Sequence, residues 1–283
     1  MYIIADSGAT KTDWRAVDKD GVVRSAFTAG MNPSSYTAEH MASAVAEAML
    51  LLNPDGEFVD RVFFYGAGLL TTAAAAPVRT AFQDWCPDVL VHFRSDLLAA
   101  ARALFGDSDG IVAIMGTGSN SCLYRDGKIV SKYSSGGFIL GDEGSAACLG
   151  KMLLSDLIKA RIPLKAELLI RAEYDIPYHV IVENVYRKPG AAAYLGSFAP
   201  FVLKNIDEPT GYMRSLVYDC IDSFMKAALS RYDESGRMVR CGVVGSFGCA
   251  CEEYVKEIGS RYGLEFVKFI KSPIEELVKY HGI

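Results

Sequence analysis

Two short runs of small and hydroxyl-bearing residues carry the chemistry this chain can be read for: Ser7-Gly8-Ala9-Thr10 and Gly116-Thr117-Gly118-Ser119. Each follows a short apolar run and leads into a second strand-like run, within Ile3–Phe27 and Ile111–Tyr133. Asp20-Gly21 and Asp126-Gly127 then fold the chain back, a strong hairpin signal. Such a turn aims backbone N–H groups and hydroxyls at one spot, which suits a phosphate. The same device written twice can grip one polyphosphate from opposite sides, so the chemistry indicated is phosphate transfer.

Two carboxylates stand where that chemistry needs them. Asp6 ends the first strand beside the first turn and can hold Mg2+ through water; the plainer alternative is a turn residue bonding its own backbone. Thr10 and Lys11 are candidates for contact with the terminal phosphates, and Gly8 lets them approach closely. Asp96 falls at a strand end, where open α/β sheets place ligands. Transfer to an alcohol needs a group that orients the hydroxyl and accepts its proton, and one carboxylate suffices. Ser95-Asp96 before Leu97-Leu98-Ala99-Ala100 also has the form of a helix N-cap. Lys11-Thr12 is not the end of a P-loop, because Ala5 and Thr10 stand where that motif needs glycine and no helix pattern follows.

The elements that must position these groups follow from periodicity. Ile3–Ala5, Asp13–Asp18 and Val22–Thr28 read as strands, Ala38–Leu52 as an amphipathic helix, Arg61–Tyr65 as a strand ending in Gly66-Ala67-Gly68, and Ala73–Trp85 as a helix. A strand over Val89–Arg94 leads into a helix through Phe105, with Gly106 as its stop. The pattern restarts at Ile111. A helix is expected from about Ala146 to Lys159, mostly helical chain over 161–210, a long helix over Tyr212–Tyr232, a strand over Val239–Val244 and a helix over Glu252–Tyr262. A last strand, Glu265–Ile270, precedes a final helix opened by the capping box Ser272-Pro273-Ile274-Glu275. Gly245-Ser246-Phe247, between a strand and a helix, has the form of a turn against adenosine; a routine β-α turn looks the same. The expected domains are 1–108 and 109–283, with the last helix free to pack back on the first.

Bulk properties narrow the function classes. The chain has 283 residues, 51% of them hydrophobic and 22% charged, enough for two cored domains. A formal net charge of −5 with no dense basic run argues against nucleic acid and anionic membrane. No apolar run nears the roughly 20 residues needed to span a bilayer. Met1–Ala5 meets Asp6 at once and reads as a buried strand, not a leader. Seven scattered cysteines suit reduced thiols, and the location expected is cytoplasmic. Cys249 and Cys251 supply two ligands at most, and the four histidines lack zinc-hydrolase spacing.

In chain order, Asp6-Ser7-Gly8-Ala9-Thr10-Lys11-Thr12, Gly116-Thr117-Gly118-Ser119-Asn120, Gly141-Asp142-Glu143-Gly144-Ser145 and Gly245-Ser246 resemble the sugar kinase/heat-shock chaperone/actin superfamily. Within it the chain resembles the N-acetylglucosamine kinase and BadF/BadG/BcrA/BcrD ATPase branch, over essentially its whole length. The resemblance implies an α/β fold of two actin-like (ribonuclease H-like) domains. Each would be a mixed five-stranded sheet with helices on both faces, and ATP and sugar would lie in the cleft between them. It implies that Gly116, Thr117 and Gly118 contact the nucleotide phosphates and that Gly245 and Ser246 serve adenosine. It further implies that Ser119 and Asn120 face the sugar, that Asp142 and Asn32 bind sugar hydroxyls, that Gly136, Gly137 and Phe138 line the sugar site, and that Asp96 is the catalytic base. Without the family, Asn32 is a turn residue before proline, and Asp142 and Glu143 are acids near a helix start. Two departures touch the nucleotide side: the stretch after Gly150 is short, and Ala9 stands where the mammalian kinases carry a further glycine.

The function expected is transfer of the γ-phosphate of ATP, with Mg2+, to a hydroxyl of an N-acetylated amino sugar such as N-acetylglucosamine, the 6-hydroxyl first. Sugar and ATP are the partners expected, with no nucleic acid and no membrane; a homodimer is allowed. Two other readings stay open. One is an ATPase activator of a dehydratase or reductase, which holds an Fe–S cluster across a dimer with cysteines; no cluster motif stands among the seven here. The other is a sugar- or nucleotide-binding regulator without catalysis.

Overall fold

The computed structural model describes residues 1–8, 10–33, 36–69, 71–232 and 239–282. Ala9, one of the two departures noted above, lies outside them. The chain forms two compact units, 1–106 with 273–283, and 107–272. Unit 1 opens with β1 (Tyr2–Ser7), β2 (Lys11–Val17), β3 (Val23–Ala29), α1 (Ala38–Leu52), β4 (Arg61–Gly66), α2 (Thr72–Trp85), β5 (Leu90–Ser95) and α3 (Asp96–Phe105). Unit 2 contains β6 (Gly110–Met115), β7 (Ser119–Arg125), β8 (Lys128–Lys132), α4 (Gly137–Leu140), α5 (Ala146–Ile158), α6 (Leu164–Glu173) and α7 (Tyr178–Val182). It continues through α8 (Ala191–Gly196), α9 (Ala199–Lys204), α10 (Tyr212–Ala227), β9 (Val239–Val244), α11 (Ser246–Ala250), α12 (Glu252–Ser260) and β10 (Leu264–Ile270). The last helix, α13 (Ile274–Gly282), belongs to unit 1.

Each unit is built on one mixed five-stranded sheet, ordered β3-β2-β1-β4-β5 and β8-β7-β6-β9-β10. In both, an antiparallel meander is followed by two strands parallel to its first. The two orders are identical, so the duplicated turns are part of a duplicated fold.

Strand alternation divides the unit 1 core between two faces. Ile3, Ala5, Trp14, Val62 and Phe64 pack with Val45, Met49 and Phe82 of α1 and α2. On the opposite face Ile4 and Tyr65 pack with Ala99 of α3 and with Ile274 and Leu277 of α13. That contact explains the membership of the last helix: its apolar stripe is buried against the first sheet. Arg15 ties it further through an ion pair to Glu275 at 2.7 Å and also pairs with Asp13. Trp14 is fully buried, with its indole N–H donating to Thr28 Oγ1 at 2.9 Å. In unit 2, Ile111, Ala113, Met115, Cys241 and Val243 of the sheet share a core with α5, α10 and α12.

Some boundaries differ from the sequence reading for identifiable reasons. The helix expected over Tyr212–Tyr232 ends at Ala227 and resumes as a 3₁₀ turn, Leu229–Tyr232, whose last tyrosine turns inward to hydrogen-bond Ser121. Asp126 and Gly127 both take positive φ (48° and 71°), the two-residue hairpin expected of Asp-Gly. The first hairpin instead closes through a longer loop, in which the Asp18 carboxylate accepts from the N–H groups of Asp20 and Val22.

Candidate functional site

In unit 1 the named residues gather at the C-terminal ends of three parallel strands. Ser7, Gly66 and Ser95 are in register across β1, β4 and β5, so Gly8, Ala67 and Asp96 leave the sheet side by side. Ala67 N–H donates to Ser7 carbonyl at 3.2 Å. The first turn is closed by Gly8 N–H donating to Lys11 carbonyl at 2.9 Å, and Thr10 carbonyl accepts from Gly30 N–H. Below it, Ser7 Oγ and Thr12 Oγ1 are hydrogen-bonded at 2.9 Å; Ser7 also accepts from Met31 N–H, and Thr12 donates to Ala29 carbonyl. This buried hydroxyl pair, which sequence reasoning missed, locks the turn to the segment that carries Asn32. Its signal was two small hydroxyl residues at strand ends, indistinguishable there from ordinary turn residues. A Cβ on Gly68 would lie 2.5 Å from Asn32 Oδ1, and Gly68 has φ +79°, so glycine at that turn is what admits the Asn32 amide. Gly8 needs no such excuse: its φ is ordinary, and a Cβ there would meet only Lys11 carbonyl, at 3.6 Å.

The carboxylates of this unit act on one another. Asp6 is pushed up to about 7, chiefly by burial and next by the Asp96 and Asp13 carboxylates, while Lys11 opposes the rise. Asp96 is the first residue of α3. Ser95 Oγ provides the cap, accepting from Leu98 N–H at 3.2 Å, and Asp96 Oδ1 accepts from Leu97 N–H at 2.8 Å. The capping role thus falls to Ser95, and Asp96 is held in place by it. Thr10, Gly8 and Lys11 are exposed, with the Lys11 ammonium 5.4 Å from the centre of the Phe27 ring.

In unit 2 the second turn is closed by Gly116 N–H donating to Gly118 carbonyl at 2.9 Å, one residue tighter than the first. Its carbonyls are docked on the start of α5: Ala146 N–H donates to Gly116 and Ala147 N–H to Thr117, at 2.9 and 3.1 Å. The α5 N-terminal amides therefore serve the turn, and buried Ser145 caps the helix by accepting from Cys148 N–H at 3.1 Å. Asp142 lies over Gly118, where a Cβ would come 2.8 Å from Asp142 Oδ2. It is buried at φ +53°, a conformation unusual for a non-glycine residue. Burial raises its pKa, while the Ser119 N–H and the Ser135 hydroxyl bonded to its carboxylate lower it. One carboxylate therefore joins the phosphate turn to the loop carrying Gly136, Gly137 and Phe138. Asp142 and Glu143 both precede α5, whose first residue is Ala146.

That loop contains the short helix α4, absent from the sequence reading. Gly136 and Gly137 have φ of +78° and +67°, and a Cβ on Gly141 would sit 1.8 Å from Ser135 carbonyl. Phe138 leans on the unit 2 core, its carbonyl accepting from Lys151 Nζ at 2.8 Å, whereas Ile139 and Leu140 are 72% and 85% exposed. Asn120 Oδ1 accepts from Ser121 N–H at 3.0 Å. At the end of β9, Gly245 takes φ +129°, and a Cβ there would lie 2.3 Å from Met115 carbonyl. Its N–H donates to Ile270 carbonyl at 2.9 Å, and Ser246 beside it is exposed. Gly245 is thus seated against the strand that delivers the second turn. The adjacent helix α8 reaches the same place, with Gly196 facing Thr117. Lys151 and Gly196 carried no signal of their own in the sequence, and Glu143 only that of an acid beside Asp142.

A model of the BadF/BadG/BcrA/BcrD ATPase family matches residues 5–210. Among solved structures, a protein of Porphyromonas gingivalis provisionally named an N-acetylglucosamine kinase is 35% identical with a TM-score of 0.89; the match covers 99% of this chain and 98% of that one. A similarly named protein of Chromobacterium violaceum is 18% identical with a TM-score of 0.67, over 99% and 98%. A ROK family glucokinase of Streptomyces griseus, in complex with glucose and AMPPNP, is 14% identical with a TM-score of 0.60, over 99% and 97%; the latter two share the fold. No curated protein matches.

Proposed function

Because the chain belongs to the BadF/BadG/BcrA/BcrD ATPase family, with the actin-like fold of sugar kinases, we propose that it transfers the γ-phosphate of ATP to a hydroxyl of an N-acetylated amino sugar, N-acetylglucosamine first and its 6-hydroxyl first. The observation that carries this reading is the placement of Asp96. It emerges at a parallel-strand end beside the first turn, near enough to Asp6 for each carboxylate to feel the other's charge. In this role Asp96 orients the attacking hydroxyl and takes its proton as the new O–P bond forms. The Ser95 cap sets its direction, so little is lost in ordering the base at the moment of reaction.

The rest of the machinery is supplied by turns. Thr10, Lys11 and the backbone at Gly8 contact the terminal phosphates, and the Lys11 ammonium offsets their charge. Gly116, Thr117 and Gly118 present a rigid cradle because α5 holds their carbonyls from behind. Gly245 and Ser246 approach the adenosine. Asn32, Ser119, Asn120, Asp142 and the Gly136-Gly137-Phe138 loop bind the sugar.

A magnesium ion fits the donor set of unit 1 through water. Burial first and the Asp96 carboxylate next raise Asp6 to about 7, with Lys11 opposing and Asp13 already paired with Arg15, and a divalent cation beside Asp6 would offset that charge. Among the described residues no group of three ligating side chains converges, so direct all-protein ligation is not the mode. Bound there through Asp6, the ion would neutralise charge on the phosphates.

The activator reading is disfavoured by its own requirement. Five of the seven cysteines are buried, and the remaining two, Cys86 and Cys249, lie in different units. The test is ADP release from Mg-ATP with N-acetylglucosamine, N-acetylmannosamine, N-acetylmuramic acid, glucosamine, glucose or no sugar. Turnover that depends on an N-acetylated sugar and stops on chelation of Mg2+ is expected. Turnover without sugar, or none, would overturn the reading.

A further inference from the structure

Beside the residues assigned to the sugar, unit 2 contains a cavity of about 150 Å³. Its wall includes Ser119, Asn120, Ser134, Ser135, Leu140 and Glu143, with Phe224 and Ala227 of α10 and the following Ala228. Its polar groups are hydroxyls, an amide and one carboxylate. Among the described residues no hydrogen bond or ion pair reaches the Glu143 carboxylate. Lys151 of α5 donates to Phe138 carbonyl at 2.8 Å. Glu143 is only partly exposed, and its backbone is fixed by the docking that fixes Asp142: Asp142 N–H donates to Ser135 carbonyl at 3.0 Å, and Gly144 is pressed against Phe224, where a Cβ would lie 2.6 Å from the Phe224 Cβ.

We infer that this cavity receives the substituent on the sugar's nitrogen-bearing carbon and that Glu143 is a specificity residue that accepts an N–H or O–H from it and rejects anionic substituents. The inference rests on the sugar-kinase reading. A space of about 150 Å³ is about five water volumes, enough for an amine or a small acyl group but not for a second sugar ring. A carboxylate accepts hydrogen bonds only, so donors are favoured there and a second anion meets like-charge repulsion that Lys151 offsets only in part. Charge opposition of this kind discriminates more by excluding the wrong ligand than by tightening the right one. The substrate class is therefore an amino sugar with a free or neutrally acylated nitrogen.

The test is a pair of acceptors matched in size and differing in charge: N-glycolylglucosamine, which is neutral, and N-oxalylglucosamine, which carries a carboxylate on the same acyl group. The readouts are kcat and KM for ADP release and the Kd of each sugar by calorimetry. Wild type should favour the neutral acceptor by about a hundredfold in kcat/KM, mainly through KM, and Glu143→Gln should shrink the ratio to about tenfold or less. An unchanged ratio in folded Glu143→Gln, or a wild type that uses both acceptors equally, would overturn the inference. Glu143→Ser is a second variant if the glutamine protein does not fold. The two readings separate cleanly. Sugar-dependent turnover with a Glu143-independent ratio leaves the kinase standing and removes the pocket. Charge-selective binding without turnover, lost in Glu143→Gln, keeps the pocket and removes the kinase. Absence of sugar binding removes both.

Discussion

The two units share one strand order, yet their corresponding strand ends carry different chemistry. In unit 1, β1 ends in Asp6-Ser7 and β5 runs into Asp96, so the parallel-strand ends deliver carboxylates. In unit 2, β6 ends in Met115 before Gly116 and β10, the counterpart of β5, runs into Lys271-Ser272, so neither place delivers a carboxylate; the counterparts β4 and β9 both run into glycine, Gly66 and Gly245. The bracing differs to match. The first turn is pinned by side chains, through the Ser7–Thr12 hydroxyl pair; the second by backbone, through the α5 amides of Ala146 and Ala147. Between the third and fourth strands of its sheet, unit 1 inserts α1, whereas unit 2 inserts α4 to α10. On the proposed function, the duplicated scaffold has diverged into a half that carries the carboxylates Asp6 and Asp96 beside its phosphate turn and a half whose turn is backbone and hydroxyl alone.

The comparison is most easily broken at its glycines. Gly245→Ala combines φ +129° with a Cβ 2.3 Å from Met115 carbonyl, and should cost about 3 kcal/mol or more of stability, seen as a lower midpoint in urea. Gly8→Ala, with ordinary φ and room for a methyl, should stay within about 0.5 kcal/mol of wild type while weakening ATP binding about tenfold by calorimetry. Equal stability losses at the two positions would erase the distinction between the turns.

A second contrast lies in the C-terminal helix of unit 1. Arg102 donates to Tyr65 Oη at 2.7 Å, Tyr65 Oη and His281 Nε2 are hydrogen-bonded at 2.7 Å, and the imidazole stacks on Phe63. Burial, with Arg102, His92 and Arg94, pulls His281 down to about 4. The unfolded chain therefore binds the proton more readily, and the stability held by neutral His281 is complete above about 6.5 and lost as pH falls toward 4. Allowing for its partial exposure, about 2 kcal/mol is at stake. Stability measured from pH 7 to 4 should fall more steeply for wild type than for His281→Gln; parallel curves would contradict this. Ser7→Ala should be milder, about 1–2 kcal/mol for leaving Met31 N–H and Thr12 short of a partner. An unchanged unfolding midpoint would show the first turn to be braced elsewhere.

The fold was legible because apolar strands, capped helices and small-residue turns recur twice in the same order, and local signals of that kind survive without tertiary knowledge. The strand carrying Asp6, the Ser95 cap that frames Asp96 and the Gly106 stop are all local, with Gly106 closing α3 through its N–H to Arg102 carbonyl. What was not legible depends on contacts distant in sequence. Asp142 over Gly118, Lys151 on Phe138 and the α5 amides under the second turn exist only once the loops meet. The α4 turn escaped notice because its two leading glycines read as loop; the first Asp-Gly folds the chain back as expected, in a longer loop because Asp18, two residues earlier, captures it with its side chain. Glu143 looked like the neighbour of a functional acid; only the cavity gives it a role of its own.

The central claim is the division of labour between the units, and Asp96→Asn tests it most directly. The measurement is steady-state ADP release with N-acetylglucosamine, beside the Kd of ATP by calorimetry. Loss of general-base assistance should lower kcat by about 10²- to 10⁴-fold, while the Kd of ATP, assigned to the turns, stays within about threefold of wild type. Turnover at the wild-type rate, or loss of ATP binding together with turnover, would contradict the account.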